Sequence, residues 1–238
     1  MKPSKGVDTH AREPAPAALA AGITHGVLVQ PGGPGADAAR LLAMIARDPG
    51  GLRGVVAADP ALDAAALGRL HAGGVRAVRI DAELHGDEAA WAAPAWTALF
   101  ERALERGWHL EVLPGAGRLA ALLPALGRVR IPVVLERFGN PGAGRGALTA
   151  TLAAAAEIAS TRPVWVKLAA PDRLPGADPA VLAAHWDRVL GADALVWGSD
   201  WPDGPGDYAR RKARLGEWVG VERARRILWD NAARLYGF

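Results

Sequence analysis

The chain has 238 residues, half of them hydrophobic, no cysteine and a formal net charge of +3. That length suits one large α/β domain with a sizeable core, and the lack of cysteine excludes a disulfide framework and thiolate chemistry. Basic residues alternate with acidic ones, as in "DYARRKAR" (207–214) and "ERARR" (222–226), which describes solvated helix faces rather than a nucleic-acid track.

The first ten residues, "MKPSKGVDTH", hold no apolar stretch of signal-peptide type, and no apolar run approaches the ~18 residues of a membrane span. The expectation is a cytoplasmic protein, a single domain over 1–238, without nucleic-acid or membrane partners. Oligomeric state is left open.

In chain order, short runs rich in β-branched residues predict strands at Gly6–His10, Gly26–Gln30, Leu52–Ala57 and Val75–Asp81. Four more follow at His109–Leu113, Ile131–Arg137, Val164–Leu168 and Leu195–Asp200. Alanine-rich helical stretches alternate with them, at Ala36–Arg47, Asp63–Ala72, Pro94–Arg106 and Ala116–Leu126. The remaining helices are expected at Ala147–Ser160, Pro179–Leu190, Asp207–Val219 and, as an extra C-terminal helix, Val221–Leu235. Several strand runs are apolar throughout, as parallel strands buried on both faces must be. Loops such as "QPGGPGAD" and "GNPGAGRGA" punctuate the pattern.

Eight strand–helix units in this length predict a compact (β/α)8 TIM barrel, an α/β fold with a shortened first helix. The alternative, an open doubly wound sheet, calls for a Gly-rich fingerprint after the first strand, and "DTHAREP" is not one.

In a barrel of this kind the C-terminal ends of the strands carry the chemistry. The first run ends with Asp8, His10 and Arg12, spaced by two and so on one face. The same alternation groups Val133, Leu135 and Arg137 on the sixth run, and Val196, Gly198 and Asp200 on the eighth, with Trp197 facing the helices. The direction of Lys167 is not fixed by the pattern.

The segments "GVLVQP" (26–31), "GLRGVVAADP" (51–60), "LHAGGVRAVRI" (70–80), "VWVKLAAPDRL" (164–174), "LVWGSDWP" (195–202) and "RILWDNAARLYGF" (226–238) carry a resemblance. Over nearly its whole length the chain resembles the amidohydrolase-related (amidohydrolase 2) metal-dependent hydrolases, most closely the 2-pyrone-4,6-dicarboxylate lactonase branch. The resemblance implies a His-x-His pair on the first strand, a His on the sixth and an Asp on the eighth that acts as general base or metal ligand. His10 and Asp200 match. Arg12 stands at the second His of the pair and Arg137 at the sixth-strand His; Asp203 stands where the family often has another His. Arg173 matches a position implied to contact a substrate carboxylate.

Arginine offers N–H donors and no lone pair, so two of the expected nitrogen ligands are gone. The metal site is read as degenerate, with no tightly bound metal or other cofactor; His10 and Asp200 are its only retained ligand positions. The expected function is hydrolysis of the C–O bond of a carboxylated lactone or similar ester. Asp200 would activate water and His10 polarise the carbonyl, while Arg12, Arg137, Arg173 and Arg79 bind the anionic substrate. Arg137 has a plainer alternative, an ion pair with Asp200 or Glu136 that holds the rim together. The competing functions are a catalytically eroded barrel that binds a small carboxylate and a decarboxylase-type member.

Overall fold

The computed structural model describes residues 18–85, 90–128, 130–174, 176–202 and 207–238. Seven strands form one parallel sheet in sequence order: β1 (Gly26–Val29), β2 (Leu52–Ala57), β3 (Val75–Asp81), β4 (His109–Leu113), β5 (Val133–Leu135), β6 (Val164–Leu168) and β7 (Leu195–Trp197). The main connecting helices are α1 (Ala39–Ile45), α2 (Ala64–Ala72), α3 (Ala82–His85), α4 (Pro94–Leu104), α5 (Leu123–Leu126), α6 (Arg145–Ala159) and α7 (Pro179–Leu190). Three follow β7: α8 (Tyr208–Val219), α9 (Val221–Leu228) and α10 (Asp230–Tyr236).

Local chemistry sets the helix starts. Asp63, Asp178 and Asp207 each accept a hydrogen bond from a first-turn backbone N–H, at Ala66, Ala180 and Arg210, and such caps satisfy donors the helix cannot. Pro94 and Pro179 occupy first-turn positions where no backbone donor is needed.

Strand alternation divides the sheet into two faces. Val56, Val78, Leu110, Val112, Val133, Leu135, Val166 and Leu195 pack into the large core beneath the helices. On the opposite face Val55 and Ala77 pack with Tyr236, and Val134, Trp165 and Val196 form a second small cluster. Leu235 touches both of these clusters. One residue of α10 thus reaches from the β2–β3 side to the β5–β7 side, which requires the sheet to curl around the C-terminal helix. The molecule is an α/β half-barrel whose inner face is plugged at one end by α10.

The predicted boundaries need three corrections. The run at Ile131–Arg137 is a strand only over Val133–Leu135, and its alternation is the reverse of the one expected. Val133 and Leu135 face the helices, while Val134 faces inward. The last run stops at Trp197 rather than Asp200, and the single C-terminal helix is two, interrupted at Trp229 (φ −125°, ψ −70°). The expected first strand, Gly6–His10, lies outside the described residues.

Candidate active site

Backbone strain marks one end of the sheet. Arg137, Phe138, Asn140, Ala170 and Asp200 are the non-glycine residues with positive φ (44° to 54°) among the described residues. All five lie just beyond the C-terminal ends of β5, β6 and β7. Left-handed backbone at a residue with a side chain costs on the order of 1–3 kcal/mol and persists only where the surroundings impose it, commonly at functional sites.

The β5 turn shows how it is imposed. Gly139 N–H donates to Glu136 O and Asn140 N–H to Arg137 O. Phe138 is buried edge-on against Trp218, and its carbonyl accepts from Trp186 Nε1 at 3.0 Å. A Cβ on Gly139 would lie 2.7 Å from Trp186. Asn140 donates to Pro114 O (2.7 Å) and Glu83 Oε1 (3.0 Å).

At β7 the strand ends on a turn held from α8. Arg211 Nη1 donates to Ser199 O (2.9 Å), its guanidinium lies 5.4 Å from the centre of the Trp201 ring, and Trp201 stacks on Tyr208. Trp201 N–H donates to Ser199 Oγ at 3.2 Å. Asp200 (φ 54°) projects from this turn, its Oδ2 3.4 Å from Arg173 Nε. Beside it opens a cleft lined in part by Asp172, Ser199, Arg211, Arg214 and Trp218. Arg214 pairs with Asp172 at 3.0 Å. Two arginines, Arg211 and Arg214, and two carboxylates, Asp172 and Asp200, line this cleft.

Below the mouth a chain of buried charges crosses the inner face. Lys167 Nζ donates to Glu111 Oε2 (2.5 Å) and Glu136 Oε1 (3.1 Å). The other oxygen of Glu136 accepts from Arg79 Nε at 2.9 Å, and Arg79 Nη1 lies 3.1 Å from Asp81. The other oxygen of Glu111 accepts from the Tyr236 hydroxyl at 2.6 Å. Burial opposes charge on Glu111, but the neighbouring Lys167 ammonium outweighs it and holds the carboxyl well below its ordinary range. Burial likewise opposes charge on Lys167, yet Glu111 and Glu136 raise its pKa. Burial pushes the Tyr236 hydroxyl well above its ordinary range, and Glu111 adds to this. Glu111 is therefore a carboxylate and Lys167 an ammonium at neutral pH.

Two histidines tie the fold to pH. Burial lowers the pKa of His109, whose Nε2 is 3.6 Å from Glu111 Oε1, too long for a hydrogen bond. Burial, then Arg76 and Arg106, lowers that of His71, whose Nδ1 accepts from Trp108 Nε1 at 2.8 Å. Both sites favour neutral imidazole in the folded state, so their stabilisation is intact above the ordinary value of 6.5 and is lost as pH falls toward the folded values. The melting temperature is expected to drop from pH 7 to pH 5, with a shallower drop in His109→Phe. Parallel pH profiles for parent and variant would show that His109 makes no contribution.

The expected residues fall into four groups. Asp200 and Arg173 meet at the mouth. Arg79 lies on the inner face, bound to Glu136 and Asp81, and Lys167 also faces inward. Arg137 is not beside Asp200: its Nη1 pairs with Glu83 Oε2 at 2.7 Å, because the left-handed turn swings it toward α3. The rim-pairing alternative named the wrong carboxylates. His10 and Arg12 lie outside the described residues.

Glu111 and Tyr236 were not anticipated, and Glu136 only as a rim partner of Arg137. The signal available was a charged residue inside an apolar strand, as in "HLEVL", since a buried carboxylate needs a partner.

The donor set bears on metal. Among the described residues no three His, Cys, Asp or Glu side chains come together as a candidate ion site. Arg137, at the position of an implied His, has no lone pair to give. The described residues do not fit a divalent metal of the implied kind.

The chain is similar to known proteins over most of its length. The family profile described as Amidohydrolase matches residues 3–238. A 4-sulfomuconolactone hydrolase of Rhizobium radiobacter is 28% identical over 235 residues, covering 91% of this chain and 76% of that protein. A solved Pseudomonas putida structure named for 2-pyrone-4,6-dicarboxylic acid hydrolase is 28% identical, with a TM-score of 0.80 over 93% of this chain and 85% of that one. An Acinetobacter baumannii structure named for the same activity, with citric acid bound, shares the fold at 21% identity, TM-score 0.80, over 98% and 94% of the two chains.

Proposed function

We propose that this chain, which belongs to the amidohydrolase family, is a lactone hydrolase that takes an anionic substrate and uses Asp200 as its general base. The observation that carries the reading is the placement of Asp200: a carboxylate held on a strained left-handed turn at the mouth, 3.4 Å from a mobile-length cation, Arg173. Relatives named as lactone hydrolases support the reaction class.

The substrate's carboxylate or sulfonate draws Arg173 from Asp200, and the Asp200 carboxylate accepts a proton from water. The water oxygen attacks the lactone carbonyl carbon, whose oxygen gains negative charge near the arginines and, by the family resemblance, His10. The ring C–O bond then breaks, and the proton on Asp200 passes to the departing oxygen. The products are a new carboxylate and an enol or hydroxyl group, with one proton released to solvent at neutral pH. No step uses a metal.

A pH-stat assay on 2-pyrone-4,6-dicarboxylate and 4-sulfomuconolactone tests the reading. One proton per lactone consumed is the expected result; binding without proton release on either would favour the carboxylate-binding barrel.

Arg173→Met separates binding from folding. The Arg173–Asp200 pair is partly exposed, so stability should change by less than about 1 kcal/mol. KM should rise about tenfold or more through loss of a charged contact to substrate. An unchanged KM would remove Arg173 from the binding set. Metal independence is checked by elemental analysis of dialysed, active protein: substoichiometric zinc and manganese are expected, and about one ion per chain, removed together with activity, would contradict it.

A further inference from the structure

The buried charge chain does more than fill the half-barrel. Glu136 uses one oxygen for Lys167 Nζ (3.1 Å) and the other for Arg79 Nε (2.9 Å). Its orientation is therefore set from both sides, and Arg79 bonds a carboxylate that Lys167 holds by the other oxygen. Lys167 is itself fixed by Glu111 at 2.5 Å, and Glu111 by the Tyr236 hydroxyl from the plug helix α10.

The path of Lys167 is also prescribed. A Cβ on Gly198 would come 3.3 Å from Lys167 Cδ and 2.9 Å from the Ala169 side chain. Glycine at 198, two residues before Asp200, leaves the room the lysine chain needs to reach β4 and β5.

Arg79 lies two residues short of the C-terminal end of β3, which is Asp81. Its Nε and Nη1 are taken by Glu136 and Asp81. Among the described residues its Nη2 is left as a donor. A guanidinium clamped on two edges presents its third in one direction, and a preorganised donor binds an anion better than a free one.

We propose that Lys167 is a positioning residue that, through Glu136, fixes Arg79 as an anion-binding donor for the substrate. The inference rests on the lactone-hydrolase reading only in taking Arg79 as a substrate contact. Lys167 does not touch substrate. Its influence on binding runs through Arg79.

Calorimetric titration with citrate, on parent, Lys167→Met, Arg79→Met and the double variant, tests this. Arg79→Met and Lys167→Met should each weaken citrate about tenfold or more, the scale of a lost charged contact. The double variant should bind no more weakly than Arg79→Met alone, because both changes remove one contact. A purely structural lysine would lower the melting temperature and leave citrate affinity at the parent value, which would overturn the proposal. So would a double variant that shows the product of the two single losses. If Lys167→Met does not fold, Glu136→Gln takes its place, since an amide cannot accept from both cations.

Citrate affinity unchanged in Arg79→Met, or absent from the parent, would also overturn it. Lactone turnover and its dependence on Asp200 would still be read separately by the pH-stat assay. Failure of the positioning role and failure of the hydrolase reading are therefore distinguishable.

Discussion

Asp200→Asn is expected to lower kcat/KM for lactone opening by about 10²–10⁴-fold, the usual range for a lost general base. The amide has nearly the same shape and can still meet Arg173 through its oxygen, so the turn at Ser199–Trp201 should persist and the melting temperature change little. Substrate or citrate affinity should be kept or tightened, because a carboxylate that repels the incoming anion has gone. That split, lost turnover with retained binding, identifies the base. A rate within about threefold of the parent would show that another group takes the proton, leaving Asp200 as a structural partner of Arg173.

The second large effect is on stability. Lys167→Met leaves Glu111 and Glu136 facing each other's charge without their shared cation. Breaking a buried ion pair from one side costs about 3–5 kcal/mol. For a chain of this size that corresponds to a fall in Tm of roughly 6–20 °C. Pairing the change with Glu111→Gln should recover part of the loss, because the neutral amide still accepts from Tyr236 and no longer needs a counter-charge. Thermal melts of the two single variants and the double check this; losses that simply add would mean that Lys167 and Glu111 are not energetically coupled.

The fold was legible because its signals are local. A β-branched run such as Val75–Asp81 and an Asp cap such as Asp178 before Pro179 carry their meaning within a few residues, and both elements stand where the pattern put them. Parity was legible at β7, where Val196 faces the interior and Trp197 the helices. It failed at β5. There the alternation was carried through to Arg137, but the strand ends at Leu135 and Glu136 takes the inward place. The backbone then turns left-handed at Arg137 and Phe138. That turn is imposed by Trp186, Trp218 and Asn140, which lie far from it or after it in sequence, so nothing in "VVLERFG" announces it.

The charge chain was hidden for a related reason. Glu111, Glu136, Lys167 and Tyr236 are spread over 125 residues and meet only when the sheet curls. Each alone reads as an oddity within an apolar segment. The family resemblance pointed to Asp200 and Arg173, which do come together, but its ligand pattern carried no information on what replaces a missing histidine. Arg137, at the position of the implied sixth-strand His, is turned toward Glu83.

Hydrolysis in heavy-oxygen water tests the central claim most directly. Parent protein, dialysed free of metal, is incubated with 2-pyrone-4,6-dicarboxylate or 4-sulfomuconolactone in H₂¹⁸O, and the product is read by mass spectrometry. Attack of an Asp200-activated water on the lactone carbonyl places one ¹⁸O in the newly formed carboxylate, with no loss of carbon, and Asp200→Asn forms labelled product about 10²–10⁴-fold more slowly. Unchanged lactone from both substrates, or a product that has lost carbon dioxide, would contradict the account.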